Sequence, residues 1–155
     1  NFNEPMIKDS KKLNEKQRFH LEKIIKKKAL CYSISICSPK LIDKINILNA
    51  SIKAMHKSIS KLTIEPSHII VDGNYFLPYK KIPFKCEIKG DTKFLNIAAA
   101  SILAKNYRDD LMKNLSLKYD KYSWESNFGY PTKMHRDSIK KYGVTRYHRK
   151  SFKLL

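Results

Sequence analysis

A chain of 155 residues with 42% hydrophobic side chains is long enough to bury one core, which excludes global disorder, and its four glycines and six prolines exclude a low-complexity polymer. Lys and Arg number 32 against 14 Asp and Glu, so a formal net charge of +18 predicts attraction to a polyanion such as nucleic acid. The plainer reading of so many lysines is a solvated surface. No apolar run of roughly 18 residues is available to span a bilayer.

The three cysteines, Cys31, Cys37 and Cys86, are odd in number and form no Cys-x-x-Cys. That argues against zinc ligation and a disulfide framework and fits a reduced, cytoplasmic compartment. No signal peptide is visible, and Asn1 reads as mid-protein. We expect a single domain over residues 1–155, and a monomer.

Residues 1–13 read as extended and basic. A helix follows from Asn14, whose side chain pairs with Gln17 as a capping box. Leu13, Gln17, Leu21, Ile24 and Lys28 share one side of it. Cys31 to Ser38 alternates, with Tyr32, Ile34 and Ile36 on one face and small side chains on the other, which predicts a strand. Ser38-Pro39 ends it and can start a short helix. Ile45, Leu48, Ile52, Met55, Ile59 and Leu62 recur at spacings of three and four, the core stripe of a further helix.

His68 to Asp72 predicts a strand buried on both faces, and Phe84 to Lys89 a second short one. Residues 73–83 between them form a loop of Tyr, Pro and Lys. Residues 92–117 predict the longest helix, buried along Ile97 to Ala104. Residues 118–132 are aromatic and irregular. A last helix covers 133–142 and stops at Gly143. Strands alternating with helices make an α/β domain. The five histidines are scattered without metal spacing and carry no assignment.

Two acids stand out in so basic a chain. Asp72 closes an apolar strand, and Gly73 lets the chain turn away and leave the carboxylate free; Asp-Gly is also a common turn dipeptide. Asp91, nineteen positions on, precedes a helix, where an acid also serves as a first-turn cap. Asp109 competes for the same role. It lies eighteen residues past Asp91, roughly 27 Å down an unbroken helix, so both cannot reach one site, and Asp91 is preferred.

Val71-Asp72-Gly73-Asn74, Lys89-Gly90-Asp91 before Ile97-Ala98-Ala99-Ala100-Ser101-Ile102, Gly129-Tyr130-Pro131-Thr132-Lys133 and His148-Arg149-Lys150-Ser151-Phe152 together resemble bacterial ribonuclease HII, the type 2 ribonuclease H. The resemblance runs from Asp9 to Phe152. It implies a ribonuclease H-like α/β fold, a mixed sheet flanked by helices. It implies an endoribonuclease that hydrolyses RNA–DNA hybrids and single ribonucleotides in duplex DNA, cutting on the 5′ side of the ribonucleotide to leave a 3′-hydroxyl and a 5′-phosphate.

In that family two Mn²⁺ or Mg²⁺ ions do the chemistry. Hard cations take oxygen ligands, and two-metal hydrolysis holds the ions about 3.5–4 Å apart. The resemblance makes Asp72 and Asp91 metal ligands and catalytic residues. It makes Tyr130 the side chain that packs on the sugar beside the junction, although a tyrosine in an aromatic loop also reads as core. Ser10 and Lys11 match a segment near the substrate strand. Lys89 and Lys133 flank the expected site as backbone contacts, or are solvated surface groups.

The family's opening strand, with Asp-Glu-x-Gly-Arg-Gly, has no counterpart here, and neither Glu4 nor Asp9 replaces it. The first hairpin is therefore expected to be missing, and these 155 residues alone to be inactive and poorly soluble. The alternatives are a degenerate remnant of the family and a non-catalytic basic nucleic-acid-binding protein.

Overall fold

A computed structural model describes residues 13–155. Ser10 and Lys11, with Glu4 and Asp9, lie outside the described residues. The chain divides into two compact units, residues 1–35 with 54–106 and residues 36–53 with 107–155.

In the first unit, helix α1 (Glu15–Lys28) opens on the expected capping box. Asn14 Oδ1 accepts the Gln17 N–H, and Gln17 Oε1 accepts the Asn14 N–H, both at 2.9 Å. These bonds satisfy two backbone donors that a helix start otherwise leaves open. Asn14→Ala should cost about 1 kcal/mol in a urea titration. The buried side of α1 is Leu21 and Ile25, so the stripe is rotated slightly from the expected one. Both pack in one cluster with Ala98, Ile102 and Leu103. Buried Asn106 closes the polar edge, accepting from Arg18 Nε at 3.3 Å and donating to Glu22 Oε2 at 2.7 Å.

The two expected strands form as β1 (Ile69–Asp72) and β2 (Phe84–Glu87), a parallel pair in which Asp72 stands opposite Glu87. β1 is not buried on both faces. Ile69 and Val71 are buried, Ile70 is half-buried and Asp72 is exposed, the alternation of a sheet covered on one side. Phe76, in the loop between the strands, is buried and packs edge-on to Phe84 and His56.

The alternating segment Cys31–Ser38 forms no ladder. Among the described residues no strand lies beside it to take its backbone groups, and a strand is defined by that pairing. Its bulky face is only partly covered: Ile34 packs against the first unit's core, while Tyr32 and Ile36 are each about half exposed.

The helical stretch α2 (Pro39–Ile59) is two helices across a kink at Asn46, whose φ is 63°. Asn46 Oδ1 accepts the Asn49 N–H at 3.0 Å and so starts the second helix. The kink resets the helical phase. Ala50 and Ile52 are buried, while Leu48 of the expected core stripe is exposed.

The expected helix 92–117 is also two elements. A single turn, α3 (Gly90–Lys93), is followed by α4 (Leu95–Ser116). Phe94 between them is extended, with φ −120° and ψ 122°. Asp91 therefore lies on its own turn rather than at the head of the long helix. Along the N-terminal half of α4, Ile97, Ala98, Ile102 and Leu103 are buried, whereas Ala100, Ser101 and Ala104 face outward.

The second unit has its own core of Met112, Leu115, Tyr122, Trp124 and Ile139. A 3₁₀ turn (Asp120–Tyr122) and a short helix α5 (Trp124–Asn127) carry the aromatic residues, and α6 (Lys133–Tyr142) follows. Helix α6 occupies the expected residues. It starts at Thr132, whose hydroxyl accepts the His135 N–H, and stops at Gly143, where φ is 79°. Among the described residues, no helix is long and apolar enough to cross a membrane.

Candidate active site

β1 delivers Asp72 to its carboxyl end, where α/β sheets place their sites. Asp72 Oδ1 accepts the Gly90 N–H at 2.8 Å, a charge-assisted bond to a backbone donor. Gly90 is the residue before Asp91, so this bond ties Asp72 to the turn that carries Asp91, nineteen positions on. Asp72 is exposed, while Asp91 is only 3% exposed. One acid faces solvent and the other is sunk into the first unit.

The turn that sets this corner is constrained. Lys89 has φ 57°, a left-handed conformation that a side chain adopts at a cost of about 1–2 kcal/mol. Its carbonyl accepts both the Thr92 N–H and the Thr92 hydroxyl. Gly90 is buried against β1. A Cβ there would meet Ile97 Cδ1 at 2.6 Å, Glu87 Cβ at 3.5 Å and Asp72 Cα at 3.6 Å. Because Ile97 is itself buried, it has little room to yield. Gly90→Ala should destabilise the protein by about 1–3 kcal/mol, read from the urea midpoint.

Glu87 is the third acid of this corner, but it is already engaged. Lys85, and after it Lys93, hold its carboxyl below the ordinary glutamate range. Among the described residues, no group of three or more His, Cys, Asp or Glu side chains could hold a metal ion. Two carboxylates suit one Mg²⁺ or Mn²⁺, which keeps several waters and takes one or two acids. They do not by themselves make a two-ion centre.

Tyr130, Lys133 and Asp109 belong to the second unit. Asp109 is 4% exposed on α4. Tyr130 is 54% exposed rather than core. Its backbone is well fixed: its N–H donates to the Asn127 carbonyl, and its own carbonyl accepts the Thr132 N–H, both at 2.8 Å. Lys133, at the first position of α6, lines an open concavity with Lys121 and Lys141. A cation at a helix N-terminus opposes the macrodipole. Lys89 sits beside the carboxylate corner of the first unit.

Several contacts of the second unit had no warning in the sequence, although the His148–Phe152 segment itself stood out. Arg108 Nη2 donates to the Phe128 carbonyl at 3.0 Å, in the loop leading to Tyr130. Asp43 accepts the backbone N–H groups of Lys150 and Ser151 and the Ser151 hydroxyl. The Ser151 contacts hold the Asp43 carboxyl below its ordinary range and pin the turn that bears Arg149. Burial, and then the Arg108 charge, lower the Arg149 guanidinium. Finally, His135 and His148, thirteen residues apart, meet in the core at 3.2 Å. Only tertiary packing makes these contacts, so no local spacing announces them.

A family model described as Ribonuclease HII matches residues 1–155. The ribonuclease HII of Christiangramia forsetii is 56% identical over 154 residues, covering 99% of this chain and 78% of that protein. That of Parabacteroides distasonis is 52% identical, covering 99% and 77%. The crystal structure of the ribonuclease H2 from Pyrococcus horikoshii superposes with a TM-score of 0.79 at 26% identity, covering 96% of this chain and 77% of that one. The fold is thus the ribonuclease H-like α/β fold, and the chain belongs to the ribonuclease HII family of ribonuclease H-type nucleases.

Proposed function

We propose that the protein is a metal-dependent endoribonuclease acting on RNA–DNA hybrids and on single ribonucleotides embedded in duplex DNA. The observation that supports this reading is the Asp72–Gly90 bond, which ties Asp72 to the residue before Asp91 in a chain of net charge +18. In so basic a protein, two acids held together are placed for a cation rather than for the polyanionic substrate.

Asp72 and Asp91 would hold Mg²⁺ or Mn²⁺. Such an ion activates water and steadies the leaving oxygen in phosphodiester hydrolysis. The protein's own part is to hold the two carboxylates in place before binding, with the left-handed turn at Lys89 and the tight seat of Gly90 setting their position. Tyr130 offers its exposed ring to the ribonucleotide sugar. Lys89 and Lys133, both exposed, answer the phosphate backbone without reading sequence. A second ion needs acids beyond those of residues 13–155, so for these residues we expect substrate binding to outlast cleavage.

The test is a duplex with one ribonucleotide, incubated with Mn²⁺, with Mg²⁺ and with chelator, beside an all-DNA duplex. The expected result is binding that weakens steeply with salt, a preference for the ribonucleotide duplex, and any cut falling 5′ to the ribonucleotide only when metal is present. Equal, metal-indifferent binding to both duplexes, unchanged by Asp72→Asn, would instead favour a non-catalytic nucleic-acid-binding protein.

A further inference from the structure

Buried in the second unit, two imidazoles and an indole form one hydrogen-bonded chain that ends on the backbone of Tyr130. Trp124 Nε1–H donates to His135 Nε2 at 3.1 Å. An indole can only donate, so His135 Nε2 carries no proton. The neutral ring then has its proton on Nδ1, which donates to the Tyr130 carbonyl at 2.9 Å. His148 Nε2 lies 3.2 Å from the same bare nitrogen of His135, so it is His148 that donates. His148 Nδ1 is then an acceptor, and it takes the Thr145 N–H at 2.9 Å, with the Thr145 hydroxyl at 3.0 Å. Every nitrogen is used, and the indole dictates both tautomers.

We infer that His135 is a positioning residue for Tyr130, kept in its one working tautomer by Trp124 and His148. This deepens the substrate role proposed for Tyr130 and rests on it. The chain has no place for a further proton. One on His148 Nδ1 would face the Thr145 N–H. Besides each other, the groups facing the pair are Tyr122 of the 3₁₀ turn, Trp124 of α5, the Tyr130 carbonyl and Thr145. Tyr122 is the titratable one, and burial raises its phenol further from the acid range. Burial, and then His135, push His148 below the ordinary histidine range. Acid should therefore break the chain and loosen Tyr130.

Trp124 is the sole tryptophan, so its emission reports on the pair directly, because an imidazolium beside an indole quenches it. The expected result is emission that stays level as pH falls through about 6.5, the ordinary histidine value, then drops. The preference for a ribonucleotide duplex over all-DNA, measured as binding with Ca²⁺, should fall with the same midpoint. A midpoint at the ordinary value would overturn the hydrogen-bonded arrangement assigned to His148.

Two variants separate positioning from packing. His135→Asn places an amide N–H near the Nδ1 position and keeps the bond to Tyr130. His135→Gln places an oxygen near Nε2 and keeps only the bond from Trp124. The preference should survive in His135→Asn and fall about two- to tenfold in His135→Gln, the worth of one hydrogen bond. Equal losses in both, or none in either, would overturn the positioning role. Tyr130→Ala distinguishes the two readings. If it leaves the preference intact, the substrate role of Tyr130 fails. If it abolishes the preference while His135→Gln is silent, only the positioning role fails.

Discussion

Trp124→Ala should lower the unfolding free energy by about 3–5 kcal/mol, the cost of emptying a fully packed aromatic site. Trp124 is 1% exposed and lies at the centre of the second unit's core. Tyr122 stacks on it at 5.2 Å between centroids, Tyr119 tilts against it at 5.6 Å, and Tyr147 meets it edge-on at 6.3 Å. Its removal strips the contact partner from three rings at once, and it leaves His135 Nε2 with His148 as its remaining donor. Against a domain stability of about 5–15 kcal/mol, the loss is large enough to bring unfolding within reach of physiological temperature. Urea unfolding followed by far-ultraviolet circular dichroism measures it. A loss under about 1.5 kcal/mol, the range of volume-conserving swaps, would mean that the core closes over the gap. The same core carries a pH term. His148 is driven toward its neutral form by burial, so the unfolded chain binds the extra proton first. Stability from this group is therefore complete above about pH 6.5 and is lost as pH falls from there toward the lower folded value.

Local signals were legible wherever the chain settles a matter with its own neighbours. The Asn14–Gln17 box and the Gly143 stop are each closed within four residues, and both helix ends lie where the pattern puts them. β1 and β2 also form where expected, β1 on a short apolar run and β2 on the alternation of Phe84-Lys85-Cys86-Glu87. Asp72 and Asp91 each close or open an element, but their position alone also fits a turn and a cap, and it was the resemblance that singled them out as a pair. Pattern failed where a partner decides. Cys31–Ser38 has the alternation of a strand, but a ladder needs a second chain segment, and none of the described residues supplies one. Asn46 and Phe94 break helices whose apolar periodicity runs on through them, because one backbone rotation outweighs a stripe that is still favourable. The break at Phe94 matters most. It takes Asp91 off the long helix and seats it beside β1, so the argument from distance along one helix does not apply to it. The two histidines carry no period at all, since their contact joins α6 to the loop beyond it.

Asp72→Asn should weaken Mn²⁺ binding by roughly a hundredfold or more while leaving the fold intact. The substitution is suited to this position, because the asparagine carbonyl can still accept the Gly90 N–H that Asp72 Oδ1 accepts at 2.8 Å. The turn at Lys89 and the seat of Gly90 should therefore persist, and because Asp72 is exposed the urea midpoint should move by no more than about 0.5 kcal/mol. What is lost is one negative charge of the pair. Changing a group that merely orients a metal ligand costs about 10–100-fold in affinity, and a ligand that itself bears the charge should cost at least as much. Asp91→Asn should be equally damaging to metal binding but not silent in the melt, because Asp91 is 3% exposed and the change is made to a buried polar group. Calorimetric titration with Mn²⁺ and a parallel urea series on each variant separate these effects. Metal affinity unchanged in Asp72→Asn, with the midpoint also unchanged, would remove Asp72 from the metal site and reduce its bond to Gly90 to a turn contact. Loss of affinity in both variants, with a stability cost confined to Asp91→Asn, is the pattern of an exposed ligand and a buried one serving the same ion.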